Sequence, residues 1–118
     1  MTMLQHRRWE SLDGADRGWL RARYHFQVNG AGSAAHQALG SLVVWNDDEI
    51  AVGGGFPMHG HRDIEIITYV RQGVLGHRDT LGSEGAIAPG VLPCSPAASL
   101  KTRRRCRYAR TRAYLAQC

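Results

Sequence analysis

The sequence of 118 residues lacks long apolar runs and, after Glu84, acidic residues of any kind. Its longest stretch without charged residues or histidine, residues 85–100, is too short and too rich in proline, glycine and alanine to cross a bilayer. Residues 1–16 carry charges where a secretory signal needs an apolar run. We therefore expect one domain with no membrane contact, and a cytoplasmic location is the default prediction.

Cysteine is also scarce, because only Cys94, Cys106 and Cys118 occur. Their number is odd and no C-x-x-C pair is present, which argues against a disulfide scaffold. The spacing of twelve residues between neighbours matches no zinc module. The three cysteines therefore suggest neither a structural zinc site nor an oxidising compartment.

Charge divides the chain into two parts. Residues 1–84 hold eight Arg and ten acids, a net charge of 8 − 10 = −2, whereas residues 85–118 hold seven Lys and Arg and no acid, a net charge of +7. Six Arg and one Lys lie within residues 101–112, enough for non-specific contact with phosphates. No base-reading motif accompanies them, so specific nucleic-acid recognition is not predicted.

Short apolar runs separated by turn residues predict an all-β sandwich or barrel. The sequence predicts an edge strand within residues 18–26 and a second strand over residues 39–45, which Asn46, Asp47 and Asp48 would end as a turn. Residues 56–70 and 74–79 are expected to pair as a hairpin that turns at Gly73. A further strand is predicted to begin at residue 86, and no segment before residue 100 shows helical periodicity.

The candidate site lies in the first strand of this predicted hairpin. On an extended strand, His59, His61, Asp63 and Glu65 would all point to one side. Two imidazoles with a carboxylate suit a divalent transition ion and leave coordination positions open. The second strand would bring His77 and Asp79 towards the same space.

An alternative interpretation of these residues is a surface feature. A single H-x-H pair is weak evidence of a metal site, and histidines on a strand also form hydrogen bonds with nearby carboxylates. The acids Asp63 and Glu65 could instead pair with Arg62, Arg71 or Arg78.

The spacing of Gly53, His59, His61 and Glu65 resembles the first sequence motif of the cupin superfamily. A fuller set of segments closely resembles the pirin family: RGWL at 17–20, VWNDDEIA at 44–51, GFPMHGHRDIEIITYV at 55–70 and GHRDTLG at 76–82. The family usually has Pro in place of Gly60 and Ser in place of Thr80. The resemblance covers residues 17–90.

This resemblance implies a cupin-type antiparallel β-barrel or sandwich that is incomplete, the front part of the first of two barrels in a bicupin. We divide the chain into a polar N-terminal segment, residues 1–16, a partial cupin domain, residues 17–90, and a basic tail of uncertain structure, residues 91–118. The last acidic residue is Glu84, and the pirin-like pattern ends at residue 90. Because these two positions lie close together, we expect residues from about 86 onward to be out-of-frame translation or a truncation artefact. A competing hypothesis is a short protein whose tail folds differently.

The resemblance further implies a metal, most often Fe(2+), held by His59 and His61 and by a second His-x-Glu pair. No histidine or acid follows Gly90, so that second pair is absent here. Glu65 and His77 are candidates for substitute ligands or for groups that orient the ligands. No catalytic residue is predicted.

At the family level, the function implied is that of an iron-dependent quercetin 2,3-dioxygenase, an oxidoreductase that acts on a flavonol-like molecule and O2. The alternative is a non-catalytic, metal-dependent regulatory or protein-binding cupin of the transcriptional co-regulator type. Because half of the ligand set is missing, we expect weak or no turnover. Exposed strand edges would also favour self-association.

Overall fold

The computed structural model describes residues 3–91, 94–106 and 111–117. Within them the chain forms a short 3-10 helix, Trp9–Ser11, and eight strands. The strands are β1 (Gly14–Asp16), β2 (Leu20–Tyr24), β3 (Val44–Ile50), β4 (Gly55–Gln72), β5 (Leu75–Asp79), β6 (Glu84–Ile87), β7 (Cys94–Cys106) and β8 (Thr111–Gln117).

All strand pairs are antiparallel, and the strand order is β1-β2-β3-β8-β4-β7-β5-β6. The prediction of an all-β, antiparallel fold is therefore confirmed. The described residues include no helix long and apolar enough to span a membrane.

The basic segment supplies two strands in the middle of the sheet. Strand β8 lies between β3 and β4, and β7 lies between β4 and β5. The sequence made no prediction for the structure of this segment. Residues 107–110, which belong to the arginine-rich run, lie outside the described residues.

The predicted hairpin at Gly73 does not form, because β7 lies between its two strands. The turn itself is present, since Gly73 has φ +81°, a conformation that glycine adopts without strain. Strands β4 and β5 nevertheless both pair with β7. The prediction that they are neighbours is wrong, because local turn chemistry does not reveal a strand inserted from far along the chain.

Two other predicted elements also differ. Strand β2 pairs with β1 and with β3, so it is not an edge strand. The predicted strand over residues 39–45 begins only at Val44, and Leu39 and Leu42 form an isolated bridge before it. The predicted turn at Asn46, Asp47 and Asp48 is wrong, because these residues form the middle of β3.

The apolar core lies on one side of the sheet. Its buried cluster draws on β2, β3, β4, β5 and β6, with three aromatic side chains at its border: Leu20, Ala22, Ile50, Val70, Leu75 and Ile87 are buried, and Trp19, Tyr24 and Phe56 pack against them. A core built from five strands fixes the position of β4, which carries the candidate site.

Candidate metal site

Strand β4 brings the two predicted histidines together at its exposed end. A register shift against β7 lies between Phe56 and His59. Phe56 lies before this bulge and the two histidines lie after it, but all three oppose alternate residues of β7, so their side chains leave the same side of the sheet. Because Phe56 packs against the core, the histidines lie on the core side of β4.

The rings form a continuous series from the core to solvent. The Trp19 and Phe56 centroids are 5.3 Å apart, and those of Phe56 and His59 are 6.5 Å apart. The His59 and His61 centroids are 4.5 Å apart, with an edge-to-face angle of 65°. His61 is half-buried and His59 is exposed. The two imidazoles therefore form a close pair at the solvent border of the core.

A backbone contact orients the His59 ring. Its Nδ1 lies 2.8 Å from the carbonyl oxygen of Pro57, and a carbonyl can only accept a hydrogen bond. The proton is therefore on Nδ1, which leaves the Nε2 lone pair available to a metal ion. Carbonyl contacts of this kind are typical of metal-binding histidines.

The predicted alternation stops at Asp63, which has φ +53°. This left-handed conformation turns the strand, and beyond it the even-numbered residues Ile66, Thr68 and Val70 are buried. Asp63 and Glu65 are both exposed. Among the described residues, no three such side chains form a group that could hold an ion, so the four predicted side chains do not converge on one metal.

His77 and Asp79 form a separate pair on β5. The Nε2 atom of His77 lies 3.4 Å from Oδ2 of Asp79; the carboxylate is buried and the His77 residue is partly buried. The same carboxylate accepts hydrogen bonds from the backbone N–H groups of Leu81 at 2.9 Å and Ser83 at 3.0 Å. Nδ1 of His77 is buried and has no hydrogen-bond partner among the described residues.

Burial alone would raise the pKa of the Asp79 carboxyl. The backbone donors of Ser83 and Leu81, together with the His77 ring, outweigh burial, so the pKa lies below its ordinary value. Asp79 is therefore an ionised group that closes the turn after β5 and holds the His77 ring in place.

Strand β7 separates the two pairs. His59 on β4 and Asp79 on β5 both oppose Thr102 of β7, so they lie in one row across the sheet. Two strand spacings place their backbones about 10 Å apart. Among the described residues, no three His, Cys, Asp or Glu side chains come close enough together to hold a metal ion. The structure thus places His59 next to His61, but it does not place Glu65 or His77 close enough to complete a metal site with them.

Sequence reasoning overlooked the ring contacts beside the histidine pair. The Phe56 ring links His59 to the core, and Trp19 packs on the far side of Phe56. Both aromatic residues lie within the family-like segments, but their contact with each other depends on how β2 and β4 pack. No spacing in the sequence signals it.

An antiparallel all-β fold with a histidine pair on a core strand is typical of the cupin class. The family model described as Pirin matches residues 5–99. The chain belongs to the pirin family.

Individual relatives agree with this assignment. The chain is 44% identical over 97 residues to a pirin-like protein of Caulobacter vibrioides, a match that covers 82% of this chain and 42% of the relative. It is 33% identical over 88 residues to a quercetin 2,3-dioxygenase of Escherichia coli K12, covering 75% of this chain and 38% of the relative. The chain thus spans well under half the length of these relatives.

One similar solved structure contains a bound metal ion. The bacterial pirin YhhW from Escherichia coli, in complex with nickel(II), superposes with a TM-score of 0.84 at 27% sequence identity. The match covers 94% of this chain and 49% of that chain.

Proposed function

We propose that this chain is a metal-binding module of the pirin type, in which His59 and His61 bind a divalent transition ion. The observation that carries the proposal is the close pair of rings, with centroids 4.5 Å apart and with Nδ1 of His59 engaged by a carbonyl. A pair of imidazoles with this orientation suits iron, nickel or copper. The nickel complex of a family member supports the assignment.

Iron is the ion that we propose for the native site, and a flavonol with O2 are the proposed reactants. The support is the name of the Escherichia coli relative, a quercetin 2,3-dioxygenase. A bound ion with open coordination positions supplies Lewis-acid and redox chemistry to such reactants. For this chain we propose weak turnover or none, because its described residues bring only two protein ligands together.

The part played by the chain's own residues follows from their positions. Pro57 fixes the His59 ring through its carbonyl, and Phe56 supports that ring on the core side. Phe56 and Trp19 also present an apolar wall next to the histidines, suited to a planar aromatic molecule. Exposure of His59 leaves this place open to solvent.

The second candidate is a metal-dependent binding or regulatory protein without catalysis. The absence of a third ligand among the described residues favours it, because a partly ligated ion can be held without productive binding of O2. The two candidates share the histidine pair and differ in turnover.

Equilibrium dialysis of the full chain against Ni(2+) or Fe(2+), followed by elemental analysis, tests metal binding. We expect His59→Ala and His61→Ala each to weaken binding by at least about tenfold. The matched control is His6→Ala, which removes an exposed histidine far from the pair in the sequence. Equal binding by wild type and the double variant would contradict the proposal.

Oxygen uptake by the iron-loaded chain in the presence of quercetin separates the two candidates. Slow uptake that is lost in His61→Ala would support the dioxygenase. Metal binding without uptake would support the regulatory protein. Fast uptake would contradict the expectation of weak turnover.

A further inference from the structure

Asp48 is a buried carboxyl group without a partner. It is 1% exposed, and neither of its carboxyl oxygens has a hydrogen-bond partner among the described residues. Its backbone lies in the middle of β3, opposite Ala22 of β2 on one side and Ala113 of β8 on the other. Polar groups buried in proteins normally have partners, so this carboxyl group requires an explanation.

On its side of β3, Asp48 lies between Asn46 and Ile50, and its surroundings are mostly apolar. Ala22 and Ile50, its neighbours on the same side of the sheet, belong to the buried core cluster. An ionised carboxylate in such a place loses its hydration and gains nothing in return. A protonated carboxyl group loses far less.

Charged and titratable residues lie on every strand around Asp48, and the side-chain contacts described for some of them involve other groups. On β3 and the strands beside it they are Asp47, Glu49, Arg21, Arg23, Tyr24, Arg112 and Tyr114, and on strands further along the sheet they are Arg71 of β4 and His77 of β5. Arg21 lies 3.9 Å from Asp16 and from Glu49, and Arg71 lies 3.1 Å from Asp47. Arg23 stacks over the Trp9 ring at 4.9 Å, and His77 contacts Asp79. The described contacts therefore supply no cation to Asp48.

We propose that Asp48 is a proton-binding site inside the fold, which holds a proton in the folded chain and releases it to solvent when the strands around β3 open. Burial is the main cause and the charge of Asp47 the second, and together they raise the pKa of Asp48 to about 7. The site thus titrates close to neutral pH.

The sign of the pH effect follows from the two states. The pKa of the carboxyl group is 3.8 in the unfolded chain and about 7 in the folded chain. Below pH 3.8 both states hold the proton, so Asp48 imposes no penalty on folding. As the pH rises towards 7, the unfolded state ionises first, and stability is lost. A difference of this size changes the unfolding equilibrium constant by roughly a thousandfold.

Urea unfolding of the full chain between pH 4 and pH 8, followed by tryptophan fluorescence, tests this proposal. We expect the ratio of unfolding constants, wild type over Asp48→Asn, to rise by roughly five-hundredfold over this range. The matched control is Asp13→Asn, which makes the same change of charge at an exposed position. The ratio of unfolding constants, wild type over Asp13→Asn, should stay nearly constant over the same pH range.

A carbon-13 NMR titration of the aspartate side chains measures the same proton binding in the folded wild-type chain. A carboxyl resonance of the folded wild type that titrates near pH 7 and is absent from a folded Asp48→Asn sample would support the proposal. If Asp48→Asn does not fold, assignment of the Asp48 carboxyl through its own backbone serves instead. Titration of that carboxyl near pH 4, or a flat ratio of unfolding constants, would overturn it.

Discussion

The two halves of β4 differ in their surroundings. The half that contains Ile66, Thr68 and Val70 has alternate side chains fully buried, and it pairs with β8 as well as with the end of β7. The half that contains His59 and His61 pairs with β7 and is mostly exposed. Asp63, in its left-handed conformation, lies between them. The residues that stabilise the fold and the histidines that we propose as metal ligands thus lie in different halves of the same strand.

Shortening a side chain in the buried half should have the largest effect on stability. Ile66 is 2% exposed, so Ile66→Ala should lower the free energy of unfolding by about 3 kcal/mol, because it leaves a cavity. Chemical denaturation measures this. Nickel affinity of the folded fraction should not change. The exposed neighbour provides the control, Glu65→Ala, for which we expect a change below about 0.5 kcal/mol.

Removing Arg71 should have the next largest effect. Its guanidinium contacts both carboxylate oxygens of buried Asp47, at 3.1 and 3.2 Å. Arg71→Met would leave that carboxylate without this partner, and we expect a loss of about 2 kcal/mol, reduced by the partial exposure of Arg71.

A second arginine provides the comparison for Arg71. Arg78 lies 4.0 Å from Glu84 in an exposed pair, so Arg78→Met should change stability by less than about 0.5 kcal/mol. Equal effects of the two substitutions on the denaturation midpoint would show that burial of Asp47 does not matter.

The border residue Asp63 should have the smallest effect on stability. A β-branched residue is strained at φ +53°, so Asp63→Val should cost about 1 kcal/mol, whereas Asp63→Gly should be nearly neutral. Thermal unfolding of the two variants measures the difference. If valine and glycine behave alike, the turn at Asp63 does not depend on its left-handed backbone.

Some of this organisation could be predicted from sequence. Runs of β-branched residues separated by glycines indicate the all-β class, and the spacing of His59 and His61 places the two rings on one side of a strand. These features are local, because they depend on period-2 alternation over a few residues. They hold where the backbone stays extended.

The remaining features depend on contacts between distant segments. Asn46, Asp47 and Asp48 resemble a turn because aspartate is costly to bury, yet Arg71, 24 residues away, pairs with Asp47 inside the strand. The insertion of β7 and β8 likewise follows from pairing with residues far along the chain. The reading-frame explanation of the basic segment stays a hypothesis about the coding sequence.

The histidine pair is the central claim, and paramagnetic NMR tests it most directly. Substoichiometric Ni(2+) added to the full chain broadens the resonances of nuclei close to the bound ion. We predict that the ring signals of His59 and His61 broaden first, with Phe56 next to them, while those of His25 and His36 stay sharp. Broadening centred on any other histidine, with His59 and His61 unaffected, would contradict the account.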